Sequence, residues 1–248
     1  MTTSSDLVTE PTSEADSPTP TPRPALAVRA RNLHLDARRG HVYGPVDLDI
    51  EPGTLTVFTG RAGSGKTALL LTLTGRMRPS RGSELTVLGH HLPLAAPLVQ
   101  RHTSAMGMLG LDDLDEDVTV ADAVRERLAW LAPWWKIVHK PTDERIQKIC
   151  TIAFGDHPVP HGTDRVYQLD EPANLLLRIS LALLSNPSLI AVDELDQLHD
   201  PSERDLIYQR LSHLASTGIT VLAASGSQHD FDDQIWPVTP TVIDVKRG

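Results

Sequence analysis

The rhythm of apolar and polar positions changes several times along the chain, and each change predicts an element. Val46-Asp47-Leu48-Asp49-Ile50 alternates strictly, the pattern of a half-exposed strand. Leu55-Thr56-Val57-Phe58-Thr59 is short, β-branched and aromatic, a buried strand by composition. Leu189-Ile190-Ala191-Val192 is continuously apolar and is expected in the middle of a parallel sheet. Ile219 to Ala224, Val242 to Val245 and Leu85 to Leu88 predict three further strands, and Leu26-Ala27-Val28 and Leu33-His34-Leu35 look like strand material. Helical spacing marks Val120 to Leu131, Thr142 to Phe154, Leu175 to Leu184 and Ser202 to Ala215, and an apolar helix starting at Ala68 stops at Gly75. Between Gly89 and Pro160 the pattern is mostly helical. Residues 1 to 24 are rich in Thr, Ser and Pro and are expected to be a disordered tail, because they hold too little apolar surface to offset ordering entropy.

One junction in this pattern carries chemistry. Between the strand ending at Thr59 and the helix beginning near Ala68 lies Gly60-Arg61-Ala62-Gly63-Ser64-Gly65-Lys66-Thr67, which spells G-x-x-x-x-G-K-T. A strand, a glycine turn and a helix N-terminus gather backbone N–H groups around one anion. The expected nucleotide-binding residues are therefore Gly60, Arg61, Ala62, Gly63, Ser64, Gly65, Lys66, Thr67 and Ala68. Lys66 is expected to reach the β- and γ-phosphates of ATP, and the Thr67 hydroxyl to ligate Mg²⁺. A second junction ends the strand Leu189 to Val192 in Asp193-Glu194. An Asp delivered to a sheet edge suits the Mg²⁺ shell, and the next carboxylate, Glu194, suits activation of a water against the γ-phosphate. The bland alternatives are a chance glycine turn and a solvated acidic turn; finding both junctions in one chain weighs against each.

Composition narrows the classes. The 248 residues are 40% hydrophobic, enough for one substantial α/β domain with an insertion. A net charge of −9 argues against a general nucleic-acid grip, so no nucleic-acid partner is expected. The single cysteine, Cys150, excludes an intramolecular disulfide and reads as a small buried hydrophobe. The run from Leu175 to Val192 is broken by Arg178, Asn186 and Pro187, and no stretch reaches membrane-spanning length. The expectation is a cytoplasmic protein, peripheral to the membrane through a partner.

The order and spacing of these pieces resemble the ATP-binding cassette (ABC) ATPases of the P-loop NTPase superfamily, over about residues 26 to 226. Gly75, Pro79, Gly82 and Gly89 resemble that family's segment after the P-loop helix, and Val118-Thr119-Val120 resembles its entry into a helical insertion. More than a hundred residues separate Thr67 from Asp193, which suits that insertion, and Asp200 falls at the D-loop position. The resemblance implies a three-layer α/β P-loop core over residues 25–248, with a β-rich N-terminal part and a helical subdomain at about 95–185. It also implies Mg-ATP hydrolysis with Glu194 and Lys66 as catalytic residues and Thr67 and Asp193 on the metal. The implied partners are a second nucleotide-binding domain, identical or not, and an integral membrane protein.

The departures from that pattern predict impaired turnover. The signature "LSGGQ" aligns with Leu169-Asp170-Glu171-Pro172-Ala173. Asp170 and Pro172 still make a sound helix start, but two carboxylates replace groups that would face a partner's γ-phosphate. At about 4 Å a like-charge pair costs roughly 1 kcal/mol in water and about 4 kcal/mol at an effective dielectric of 20. Gly226 occupies the switch-histidine position, with His229 three residues on, and Gly110 occupies the Q-loop glutamine position. The adenine-stacking aromatic aligns with Ala37 or Arg38; Tyr43 is the nearest aromatic and reads as a packed strand residue. The alternative to an active ATPase is thus a regulatory or structural nucleotide-binding module. Trp130, Trp134 and Trp135 cluster in a chain that is only 4% aromatic, as a docking site or as local core. His90-His91, His157 and His161 read as loop histidines, and the acidic run Asp112 to Asp117 as a solvated loop.

Overall fold

The predicted strands sort into two sheets because two kinds of pattern are present. In the computed structural model, which describes residues 25–38, 40–108, 114–193, 195–226, 231 and 235–245, the alternating N-terminal strands form an antiparallel sheet. It runs β2 (Gly40–Ile50), β1 (Val28–Ala37), β4 (Glu84–Val87), β5 (His90–Leu92). The continuously apolar β7 (Leu189–Val192) and the mainly apolar β8 (Thr220–Ser225) and β3 (Leu55–Thr59) lie in a parallel sheet flanked by β6 (Thr103–Met106) and β9 (Thr241–Asp244), in the order β6, β7, β8, β3, β9. Every residue of β3, β7 and β8 is buried, as strands covered on both faces require. The fold is therefore the expected α/β P-loop architecture with a β-rich N-terminal part.

Helices cover the sheet: α1 (Lys66–Leu73), α2 (Ala96–Arg101), α3 (Val120–Leu131), α4 (Asp143–Phe154), α5 (Glu171–Leu183) and α6 (Pro201–Ser216). Two apolar clusters result. One joins α3 to α6 to one face of the parallel sheet through Leu176, Ile179 and Leu211; the other fills the space between α1 and the antiparallel sheet around Tyr43, Phe58 and Leu70. The helix starts follow local chemistry. Thr119 accepts from Asp122 N–H, Asp170 from Ala173 N–H and Asp200 from Ser202 N–H.

One reading of the pattern is refined and two are adjusted. Leu26 and Ala27 lead into β1, and Val28 and Leu33 to Leu35 lie in that single strand, whose register shifts around Asn32, a residue at φ 48. Leu88, expected to end β4, sits at φ 49 in the turn to β5. The stretch read as mostly helical, inside the expected helical segment 95–185, contains β6, which pairs with β7 as a strand of the main sheet. Its sequence Thr-Ser-Ala-Met hides the burial because the polar groups are satisfied internally. Arg76 donates to Thr103 Oγ1 at 2.9 Å, and the Ser104 and Ser185 hydroxyls lie 3.2 Å apart.

Candidate nucleotide site

The loop between β3 and α1 is shaped by glycines that no other residue replaces cheaply. Gly63 and Gly65 lie at φ 78 and 90. A Cβ on Gly65 would meet the Val42 carbonyl oxygen at 2.6 Å and Tyr43 Cβ at 2.8 Å, so the loop is pressed onto β2. A Cβ at Gly63 meets nothing within 4 Å among the described residues, so that side of the loop is open to them. Tyr43 anchors the arrangement from below. It is fully buried, its hydroxyl donates to Thr72 Oγ1 at 2.7 Å, and burial pushes its pKa up to about 12. Tyr43 is thus a packed strand residue, and the aligned alternative, Arg38, is exposed in the β1–β2 turn.

Lys66 is 9% exposed, and its ammonium donates to the carbonyls of Gly60 at 2.7 Å and Arg61 at 3.3 Å. The Ser64 side chain is buried, and among the described residues its hydroxyl oxygen has no hydrogen-bond partner. Thr67 and the backbone of Arg61 to Gly63 face outward. Leu69 N–H bonds back to Gly65, and no acidic residue occupies the first turn of α1. The N–H groups of Lys66, Thr67 and Ala68 therefore belong to the unsatisfied start of a helix whose dipole favours an anion. An orphaned hydroxyl, a held ammonium and an open helix start fit a phosphate chain.

Asp193 follows β7, is buried, and donates its backbone N–H to Met106 O at 2.9 Å. Since β7, β8 and β3 are parallel neighbours in that order, Asp193 and Gly60 leave the same edge of the sheet. They are two strand spacings apart, about 10 Å. Thr67 and Asp193 together supply hard oxygen donors of the kind Mg²⁺ takes. Gly226, the position aligned with the switch histidine, follows β8 between them and is exposed. Glu194, Gly110 and His229 lie outside the described residues.

Two supports of the site carried little sequence signal. Gly107, at φ 72, packs so closely on Asp193 that a Cβ there would sit 2.8 Å from the Asp193 carbonyl carbon and against its oxygen. A Cβ on Gly60 would meet Val245 O at 2.6 Å, so the residue that follows β9 braces the first glycine. A lone glycine after a polar strand gave only a faint hint of the first contact, and nothing local pointed to the second.

The signature position is built as a helix start. Asp170 Oδ1 accepts from Ala173 N–H at 2.8 Å. Glu171 lies beside it on the surface, its carboxylate 3.7 Å from His199 Nδ1. A groove of about 340 Å³ runs along this end of α5, lined by Glu116, Tyr167, Glu171, Asn174 and Arg178 among others. Asp200 is held below the usual carboxylate range by the Ser202 hydroxyl and then its backbone N–H, as the cap of α6.

The model of a family described as ABC transporter matches residues 43–197, from the strand beneath the loop to the turn after Asp193. The chain belongs to this family. The cytochrome c biogenesis ATP-binding export protein CcmA of Bordetella bronchiseptica is 31% identical over 182 residues, 73% of this chain and 75% of that protein. The Nod factor export ATP-binding protein I of Cupriavidus metallidurans is 29% identical over 177 residues, 71% of this chain but only 55% of that relative's length. Among solved ABC structures, cbiO1 from Clostridium perfringens, part of the transporter complex cbiONQ, superposes with a TM-score of 0.65 at 17% identity, covering 89% of this chain and 85% of its own. A dimeric ABC transporter cassette gives 0.60 at 18% identity, covering 81% and 88%. At these identities the structures speak for the fold, and the family match for the ATP-binding class.

Proposed function

We propose that this chain is the ATP-binding subunit of an ABC-type transporter, which holds Mg-ATP between the Gly60–Ala68 loop and Asp193 and hydrolyses it slowly. The observation that carries the reading is the shared sheet edge. One edge presents an anion cradle with Lys66 and Ser64 inside it and, across one strand, a carboxylate. Lys66 would exchange its loop carbonyls for phosphate oxygens and offset their charge. Thr67 and Asp193 would hold Mg²⁺, which when bound draws the phosphate oxygens' charge and fixes their orientation. Glu194, next after Asp193 in sequence, would orient and deprotonate the attacking water.

The expected partners are a second nucleotide-binding domain, identical or not, and an integral membrane protein. A groove of about 330 Å³ between α3, α5 and β6, rimmed by Arg76, Arg127 and Trp130, lies on the helical side where a membrane partner would dock. That the named relatives are export ATP-binding proteins supports this assignment. A catalytically impaired regulatory module is the second reading, favoured by Asp170 and Glu171 at the signature position. Steady-state ATP turnover of wild type and Glu194→Gln, with nucleotide affinity measured in parallel, separates them. Turnover that Glu194→Gln abolishes is the expected result. Equal background rates with tight binding in both would leave the regulatory reading standing.

A further inference from the structure

Three of the chain's four tryptophans leave the fold at one place. Trp130 is 78% exposed, Trp134 92% and Trp135 70%, with Ile137 beside them at 80%. They occupy the end of α3 and the loop to α4, about 18 Å along the helix from Thr119. Core packing does not hold them there.

The loop is nonetheless fixed in place. Lys136 N–H bonds to Pro133 O at 2.8 Å, closing a turn that puts Trp134 and Trp135 at the tip in an edge-to-face pair. The far end is tied back where Lys140 Nζ meets the Asp122 carboxylate at 2.9 Å, and Pro141 is buried. Exposed indoles held on an ordered turn are costly to leave in water unless something covers them.

The charge beside them says what covers them. A groove of about 630 Å³ opens behind the tip between α3, the loop and α4. Its walls are apolar (Leu128, Leu131 and Val138 among them), and its charged or titratable linings are Lys136, His139, Lys140 and Arg145. Among the described residues no Asp or Glu lines it, in a chain of net charge −9. Lys140 is matched by Asp122, and Lys136 and Arg145 remain as cations beside an apolar pocket fronted by tryptophans; together these complement a surface that is anionic outside and apolar beneath. Indoles settle where their rings reach the acyl boundary and their N–H groups stay wet. Each lysine near an anionic headgroup layer adds about fivefold in affinity.

We propose that the loop 132–140 is a lipid anchor, which seats Trp134, Trp135 and Ile137 in the headgroup–acyl boundary of an anionic phospholipid bilayer and brings Lys136 against the headgroup phosphates. No helix among the described residues is long and apolar enough to cross a membrane, so the contact is a surface one. It needs no nucleotide, and its test therefore stands apart from the turnover experiment.

The test is co-sedimentation of the full chain with vesicles of pure phosphatidylcholine and of an equal mixture of phosphatidylcholine and phosphatidylglycerol. Tryptophan quenching by bromine-labelled acyl chains is read on the same samples. Wild type should pellet with the anionic vesicles, weakly with the neutral ones, and be quenched except for the remaining tryptophan, Trp236, whose indole N–H is bonded inside the fold to Phe231 O. Trp134→Ala with Trp135→Ala should lose at least tenfold in affinity, and Lys136→Glu at least fivefold, with unchanged unfolding midpoints because these side chains are exposed. Wild type that stays in solution with both vesicles overturns the proposal, as it would if the loop serves a polypeptide partner alone. Binding that survives the double tryptophan substitution, or that lacks quenching, overturns it too.

Discussion

Gly107→Ala tests how the proposed Mg²⁺ half of the candidate site is held, without touching the glycine loop Gly60 to Ala68. Gly107 stands between β6 and the backbone of Asp193, at φ 72. An alanine there meets two penalties. The left-handed backbone costs a non-glycine residue about 1–2 kcal/mol. The new Cβ also lies 2.8 Å from the Asp193 carbonyl carbon, and overpacking of this kind costs about 1–3 kcal/mol. The obstruction is backbone, so no rotamer relieves it; either β6 or the end of β7 must shift. The summed cost of about 2–5 kcal/mol is a large part of the 5–15 kcal/mol that a domain commonly has. Urea unfolding should show a lower midpoint at an unchanged slope. Nucleotide affinity supplies the second readout. In chelator the variant should bind ATP as wild type does, since Gly60 to Ala68 are untouched. The gain on adding Mg²⁺ should shrink, because Asp193 is displaced. A wild-type midpoint would show that the close approach is not real. A lower midpoint with a full Mg²⁺ effect would remove Asp193 from the metal shell.

Two more outcomes follow from groups away from the loop. His41 lies 2.8 Å from the Asp36 carboxylate through Nδ1 and 2.8 Å from Gly44 O through Nε2; the Asp36 hydrogen bond first, then the Gly44 carbonyl, raises its pKa in the folded chain. A raised folded pKa stabilises fully below the unfolded value of about 6.5 and loses that stabilisation as pH climbs through the folded value. Wild type should therefore exceed His41→Gln in unfolding midpoint most in mild acid and least in mild alkali, and a gap that does not change with pH would refute the pairing. Asp170→Ser with Glu171→Gly keeps a helix cap on α5 while removing both carboxylates; ATP-dependent dimerisation should strengthen between about fivefold and several hundredfold by the like-charge estimate, and unchanged elution on gel filtration in ATP would show that this turn does not meet a nucleotide.

What was legible in the sequence follows from how each segment is solvated. β3, β7 and β8 are covered on both faces, so their sequences are mainly apolar or β-branched and their ends read closely. The bounds of α3 were plain for a related reason: its apolar face repeats at helical spacing and Thr119 caps it. β6 was illegible because Thr103 and Ser104 are buried among partners brought from Arg76 and Ser185, distant in sequence. The continuity of β1 was hidden by Asn32, whose left-handed backbone lets one strand bend where the pattern suggested a break. In the candidate site, the loop could be read as a local motif, whereas Gly107 and Val245 act across the sheet and depend on strand order. The tryptophan cluster was visible in sequence, but only its exposure distinguishes a surface device from core.

The placement of β8 between β7 and β3 has a mechanical consequence. Leu55 and Val57 of β3 face one apolar cluster while Phe58 faces the other, and β7 divides in the same way, with Ile190 and Val192 on one side and Leu189 and Ala191 on the other. Sliding of these strands past one another would disturb both halves of the core together. Under the proposed function, a phosphate chain held at Gly60 to Ala68 and, through its cation, at Asp193 would be a tie-bar across three strands at their free rim. It would resist shear where the sheet has no turn to join neighbouring strands. Ligand binding would then stiffen both faces of the molecule at once, carrying the presence of a nucleotide to α3–α6 on one side and to the antiparallel sheet on the other.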